Sequence, residues 1–70
     1  MMQRIAVDSS NIASIGYDPN TQTLEIEFVN GSIYQYFDVP STIYDALMVS
    51  GSHGSYFNSN IKGYYRYAKL

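Results

Sequence analysis

The sequence contains no cysteine and no tryptophan. The lack of cysteine excludes a disulfide and a cysteine-ligated zinc site as means of stabilising the fold. This matters because a chain of 70 residues buries only about 60% of the surface that its unfolded form exposes. The core of such a small domain gives little net stability, and association of subunits is the remaining common support. We therefore expect a homo-oligomer.

Charged residues are also scarce, at 14% of the chain against roughly 25% in typical soluble proteins. The net charge is −2, and the only basic residues are Arg4, Lys62, Arg66 and Lys69. Broad binding to a nucleic-acid backbone depends on many cations that displace counterions. We therefore expect no binding to the DNA backbone. The basic residues near the C-terminus are enough only for a local basic patch.

Long apolar runs are missing as well. No stretch of the sequence approaches the roughly 18 consecutive apolar residues of a membrane-spanning helix. No apolar run of the kind found in a signal peptide follows residues 1–4. Metal-ligand spacings and the glycine motifs of nucleotide-binding loops are absent too. These absences predict a cytoplasmic protein without membrane, metal or cofactor.

The clearest pattern that is present is a strand over residues 23–29, where apolar and polar side chains alternate. Alternation with a period of two places the apolar side chains on one face of a sheet and the acidic ones on the other. The apolar side chains are those of Leu24, Ile26 and Phe28, and the acidic ones are those of Glu25 and Glu27.

Asn30 and Gly31 follow this strand directly. Asn-Gly is the favoured pair for a two-residue type I′ hairpin turn, so residues 32–37 are the predicted return strand. A two-residue turn fixes the register, and here it pairs Phe28 with Ile33. That register places Tyr34 and Tyr36 beside the two glutamates, on the face opposite to the aliphatic core.

The other elements follow from turn, cap and spacing signals along the sequence. We predict a single α+β domain over residues 1–70, with an antiparallel β-meander of three strands and a candidate fourth, one main helix and a short second helix. The elements outside the hairpin are an entry segment over 1–10, a strand over 12–17, a helix over 42–49 with Ser41 as its N-cap, a short helix or ordered loop over 52–60, and a candidate strand over 64–68.

Residues suited to catalysis are few. His53 is the only histidine, and it lies between Gly51 and Gly54, where a loop residue without an orienting partner is expected. A catalytic histidine needs a nucleophile and a group that orients the ring. The two glutamates of the strand have tyrosines as their expected neighbours, and hydrogen bonds or solvation account for them. We therefore predict a protein that is not an enzyme.

The most unusual feature is the number of tyrosines, of which there are eight. Three of them crowd the C-terminus among the basic residues, and Tyr34 and Tyr36 lie on the predicted hairpin. Aromatic rings interleaved with cations suit stacking on exposed bases and contact with a phosphate. The alternatives are a second small core under the aromatic segment and a subunit interface.

The ordered motifs of the chain resemble those of the KTSC domain family, which occurs at the C-terminus of some lysyl-tRNA synthetases and alone in small bacterial and phage proteins. The residues that carry the resemblance run from Val7 to Tyr67: Asp8–Ile12, Ile15–Asp18, Leu24–Phe28 with Gly31, the Tyr-x-Tyr signature Tyr34-Gln35-Tyr36, Val39-Pro40, Tyr44, Ser52–Asn58 and Ile61. The resemblance implies a small α+β domain without an established activity that has been suggested to bind RNA. Members often carry basic residues around the Ser52–Asn58 segment and at the C-terminus, whereas this sequence reads Ser52-His53-Gly54-Ser55 and Asn58-Ser59-Asn60 there.

Two functions follow from these observations. The first is a non-catalytic module that binds a nucleotide-like ligand, such as a short RNA or a free or cyclic nucleotide. A small phage-type protein of this kind could sequester a nucleotide signal. The acidic balance favours a small ligand over a long strand. Its expected binding residues are Ser9, Ser10, Tyr34, Tyr36, Tyr56, Asn58, Lys62 and Arg66. The alternative is a protein-interaction or homo-oligomerisation module without a small ligand.

Overall fold

The computed structural model describes residues 2–70 and consists of a five-stranded antiparallel sheet with two helices. In chain order the elements are β1 (Arg4–Ala6), β2 (Ile12–Asp18), β3 (Thr23–Phe28), β4 (Ile33–Tyr36), α1 (Ser41–Val49), α2 (His53–Asn60) and β5 (Tyr67–Lys69). The strands lie in the order β1-β2-β3-β4-β5, so each pairs with its neighbour in sequence. The predicted α+β meander is confirmed, and both chain ends add a short strand to it.

Both helices pack against one face of the sheet, which encloses the hydrophobic core. Ile15, Leu24 and Ile26 contribute to the core from the strands, Leu47 from α1 and Phe57 from α2. Each of these side chains is at most 3% exposed. No helix within residues 2–70 is long and apolar enough to cross a membrane.

The register of the β3–β4 hairpin differs by one residue from the predicted one. Leu24 pairs with Tyr36 and Ile26 pairs with Tyr34. The amide of Gly31 donates to the Phe28 carbonyl oxygen at 2.9 Å, which closes a loop of Val29, Asn30 and Gly31 instead of a two-residue turn. Such a three-residue loop ends on a residue in the left-handed region, and Gly31 has a φ of 92°.

The predicted position of the two hairpin tyrosines is therefore wrong. A shift of one residue exchanges the faces of a strand, so Tyr34 and Tyr36 lie on the core face and Ile33 lies on the other. The side-chain oxygen of Asn30 accepts a hydrogen bond from the Ser32 amide at 2.9 Å. This contact stabilises the longer loop, to which Asn-Gly is as well suited as to a type I′ turn.

Replacing Gly31 by alanine tests the three-residue loop. We expect the free energy of unfolding to fall by about 1 kcal/mol, because an L-residue in the left-handed region is strained. The added methyl group would meet no atom within 4 Å, and the same holds at Gly51, where no positive φ is required. Urea unfolding of Gly31→Ala beside Gly51→Ala separates backbone strain from side-chain effects, and equal changes in the two variants would contradict the strained loop.

The helix termini show one more difference from prediction. Pro40, not Ser41, occupies the N-cap position of α1, and no side chain caps that helix. Proline presets a φ that leads into a helix, and here the helix begins directly after it. Residues 53–60 are helical, and the Ser52 hydroxyl caps this second helix by accepting from the Ser55 amide at 3.3 Å.

The sheet face opposite to the helices carries a polar network instead of an apolar layer. Arg4 on β1 forms an ion pair with Glu25 on β3 and donates to the Ser14 hydroxyl at 3.0 Å. The second carboxylate oxygen of Glu25 accepts from the Gln35 amide group at 2.9 Å. Gly16 lies between Arg4 and Glu25 in the same cross-strand row, and its missing side chain lets the arginine reach across β2.

Candidate ligand-binding groove

Three tyrosines meet on the core face near the β5 edge of the sheet. Tyr34 and Tyr36 project from β4, and Tyr67 of β5 pairs directly with Tyr36. The segment that follows α2 forms the other wall of a cavity of about 460 Å³. We call this cavity the aromatic groove, and its lining residues are Phe28, Asn30, Ser32, Tyr34, Tyr36, Lys62, Gly63 and Tyr67.

The three tyrosine rings form a compact triangle. The ring centroids of Tyr34 and Tyr36 are 6.4 Å apart, and each lies 5.9 Å from the ring of Tyr67. Two phenylalanine rings pack edge-to-face against these tyrosines. The ring centroid of Phe57 lies 5.4 Å from that of Tyr36, and the ring centroid of Phe28 lies 5.7 Å from that of Tyr34. Aromatic pairs at such distances are mutually attractive. The wall of the groove is therefore held in place by the core itself.

The three rings differ in exposure, and this difference separates their possible roles. Tyr36 is 5% exposed and belongs to the core cluster, whereas Tyr67 is 63% exposed. Tyr34 lies between these extremes and is half-buried. Tyr67 therefore offers an open ring to a ligand, while the Tyr36 ring is almost fully buried beside the groove.

The aromatic groove combines a cation with a phenol of raised pKa. Burial raises the pKa of Tyr36 to about 12, and the neighbouring phenols of Tyr34 and Tyr67 contribute to the rise. Like an ordinary phenol, the Tyr36 hydroxyl is protonated at neutral pH, and its raised pKa extends the protonated range to more alkaline solution. Lys62 lines the groove and no carboxylate does. The groove therefore carries a local positive charge, although the net charge of the chain is −2.

The structure distributes the predicted binding residues over more than one surface. Tyr34, Tyr36 and Lys62 come together in the aromatic groove. Ser9, Ser10 and Asn58 line a separate polar cavity of about 470 Å³ together with the half-buried His53.

The last two predicted residues lie in neither cavity. The guanidinium group of Arg66 forms a 2.7 Å ion pair with Asp38 and lies 5.4 Å from the centre of the Phe37 ring. Tyr56 on α2 is half-buried and packs against the core cluster. Neither side chain lines the aromatic groove.

Tyr67 and Phe28 are groove residues that the sequence did not assign to a site. The tyrosine-rich C-terminus was noticeable in the sequence, but its place depends on the pairing of β5 with β4. The alternation of β3 predicts a core position for Phe28, and its ring contacts both Phe57 of the core and Tyr34 of the groove.

A larger cavity of about 780 Å³ lies near the turn between β2 and β3. It is lined by no lysine or arginine, and Asp18 places a carboxylate in it. This cavity is therefore less suited to an anionic ligand than the aromatic groove. Within residues 2–70, no group of three or more histidine, cysteine, aspartate or glutamate side chains is arranged to hold a metal ion.

Relatives of this chain fall into two kinds. An uncharacterized protein of Stutzerimonas stutzeri is 43% identical over 70 residues, which cover 99% of both chains. A lysine–tRNA ligase of Nostoc sp. is 46% identical over 63 residues, which make up 90% of this chain but only 11% of the ligase. The chain thus corresponds to a small part of the ligase.

A solved structure and a family profile match the chain as well. A crystal structure of a KTSC domain protein from Yersinia pestis matches all of this chain and 99% of its own, with a TM-score of 0.94 and 44% identity. The sequence profile of the KTSC domain matches residues 8–65, and with these findings the chain belongs to the KTSC domain family.

Proposed function

We propose that this domain binds a nucleotide-like ligand, either a short RNA or a free or cyclic nucleotide, in the aromatic groove. The observation that supports the proposal is the open ring of Tyr67, beside two further tyrosines and Lys62 in one cavity. A base stacks on Tyr67, and the ammonium group of Lys62 meets a phosphate. Stacking on aromatic side chains combined with cationic contacts is the usual mode of binding for unpaired bases.

The dimensions and charge of the groove favour a small ligand. Its volume of about 460 Å³ falls within the range of about 300–1,000 Å³ that is typical of small-molecule sites. One lysine lines it, and the chain as a whole is acidic, so a long strand would find few phosphate contacts. The kinship with lysine–tRNA ligases is consistent with a ligand of nucleotide chemistry.

Replacing Tyr67 by alanine is expected to weaken nucleotide binding about tenfold, because stacking on one ring is worth about 1–3 kcal/mol per base. Tyr64→Ala is the matched control, since Tyr64 is 69% exposed and does not line the groove. Isothermal titration calorimetry measures the affinities, with nucleoside 5′-monophosphates, cyclic dinucleotides and short single-stranded RNA as probes. Thermal unfolding of both variants verifies that the fold is retained.

A second matched pair tests the cation in the same titrations. Lys62→Gln removes a positive charge from the groove, whereas Arg66→Gln removes one that is paired with Asp38 outside it. We expect the affinity to fall for the first variant and to stay within about twofold for the second. The proposal fails if no probe binds the unaltered protein, or if Tyr64→Ala and Arg66→Gln weaken binding as much as their partners.

Self-association is the second candidate function, and the exposed apolar side chains around β5 favour it. Tyr64, Tyr67 and Leu70 are 69%, 63% and 66% exposed, and β5 is an edge strand. Edge strands with apolar neighbours are ready sites for pairing with another chain, although a short strand with a lysine opposes it. Sedimentation velocity of dilute protein separates the two functions, because a stable dimer over this edge would cover Tyr67.

A further inference from the structure

The hydroxyl groups of the groove tyrosines have no partners in the protein. Within residues 2–70, Tyr17 is the only tyrosine whose hydroxyl forms a hydrogen bond with backbone or side chains, and it donates to the Val39 carbonyl oxygen at 2.5 Å. Among the other tyrosines, which include Tyr34 and Tyr67, only Tyr36 is buried. Every side-chain oxygen that is fully buried in the described chain has a partner. The hydroxyl of the nearly buried Tyr36 therefore reaches the surface, and it does so in the groove that the side chain lines.

A tyrosine placed this deep in a protein usually has a partner for its hydroxyl. Tyr36 is 5% exposed, and the pKa of its phenol is raised to about 12. At neutral pH the group is, like any phenol, a neutral hydrogen-bond donor and does not repel an anion. The other phenol on β4, that of Tyr34, lines the same cavity, and so does Lys62.

The groove therefore presents donors without an opposing carboxylate. Hydrogen bonds to a charged acceptor are roughly twice as strong as those between neutral groups. Among the acceptors of a nucleotide, the charged phosphate oxygens therefore form the strongest hydrogen bonds with these donors and with the ammonium group of Lys62. The phenols thereby supply phosphate contacts that a chain with only four basic residues lacks elsewhere.

We infer, on the basis of the proposed function, that the hydroxyls of Tyr34 and Tyr36 together with Lys62 bind the phosphate of the nucleotide, while Tyr67 stacks on its base. The assignment gives Tyr34 and Tyr36 a role as hydrogen-bond donors, since the ring of Tyr36 is too buried to stack on a base. On this assignment the two phenols contact only the phosphate, so they contribute to the binding of a nucleotide and not to that of a nucleoside.

Tyr36→Phe and Tyr34→Phe test this assignment, because each keeps the ring and removes only the hydroxyl. Calorimetric titrations compare uridine with uridine 5′-monophosphate, and adenosine, guanosine and cytidine with their 5′-monophosphates. For Tyr36→Phe we expect the affinity for the monophosphates to fall about tenfold, as for loss of a hydrogen bond to a charged group. The affinity for the nucleosides is expected to stay within about twofold.

The matched control is Tyr44→Phe, which also removes a phenol hydroxyl from a half-buried ring that packs against the core cluster but lies outside the groove. It is expected to leave both affinities unchanged. The phosphate assignment is overturned if Tyr36→Phe and Tyr34→Phe bind the monophosphates as the unaltered protein does, or lose nucleoside affinity equally. If Tyr67→Ala still weakens binding in that case, the proposed function stands and only the phosphate assignment falls, whereas no binding of any probe removes both.

Discussion

Replacing Arg4 by methionine is expected to lower the free energy of unfolding by about 2–4 kcal/mol. The substitution removes the cation that faces Glu25, whose side chain is only 7% exposed. Removing one partner of a buried ion pair leaves an uncompensated charge, which typically costs about 3–5 kcal/mol. The Arg4 side chain is 28% exposed, and water can partly replace it, so a somewhat smaller loss is expected here. Urea unfolding followed by far-ultraviolet circular dichroism measures the change.

The chain offers a matched control for this prediction. Arg66 and Asp38 form the other ion pair among the described residues, and both of their side chains are 73% exposed. Exposed pairs contribute about 0–1 kcal/mol, so Arg66→Met should change stability far less than Arg4→Met. The double variant Arg4→Met, Glu25→Met should recover much of the lost stability, because no buried charge remains. Similar losses for Arg4→Met and Arg66→Met would contradict a buried network.

The position of the network also explains how the first strand is held. β1 has three residues, of which Ile5 is 54% exposed, so little apolar contact attaches it to the sheet. A methyl group on Gly16 would lie 2.8 Å from the Gln3 carbonyl oxygen, which shows how closely the N-terminal segment packs against β2. The ion pair from Arg4 to Glu25 therefore ties an edge strand to the centre of the sheet.

The existence of the hairpin could be predicted from the sequence, but its register could not. Alternation over residues 23–29 identified the strand, and Asn30 and Gly31 located the loop. The same two residues fit a two-residue turn and a three-residue loop that ends on glycine. The pattern of apolar side chains does not distinguish the two loops, because either register places apolar side chains in the core. The structure selects the one that buries Tyr36 against Phe57.

The candidate site was predictable only in part, for a reason of topology. The Tyr-x-Tyr signature predicts that Tyr34 and Tyr36 are binding residues, and both line the groove. Their partner Tyr67 lies on a strand that returns to β4 only after both helices. Such a long-range pairing leaves no local pattern in the sequence. By contrast, the polar residues Ser9, Ser10 and Asn58, which the sequence predicts to bind one ligand, do line one cavity, although not the groove.

Raising the pH from 10 to 12 is expected to remove about 2 kcal/mol of stability that depends on Tyr36. Its phenol has a pKa of about 12 in the folded chain against an ordinary value of 10.0, chiefly because of burial. The folded state therefore holds this proton more tightly than the unfolded state does. The stabilisation is complete below pH 10 and is lost as the pH rises through 12, at about 1.4 kcal/mol per pH unit.

The phenylalanine variant isolates this contribution, since Tyr36→Phe keeps the ring and has no proton to lose. Urea unfolding at intervals between pH 8 and 12 should show the unaltered protein losing stability faster than Tyr36→Phe above pH 10. Burial also raises the pKa of Tyr17, but that group is present in both proteins and cancels in the difference. Tyr64→Phe, at an exposed ring, should follow the unaltered protein. Parallel pH curves for Tyr36→Phe and the unaltered protein would show that the phenol is as well solvated when folded as when unfolded, and so not a donor held at the floor of the groove.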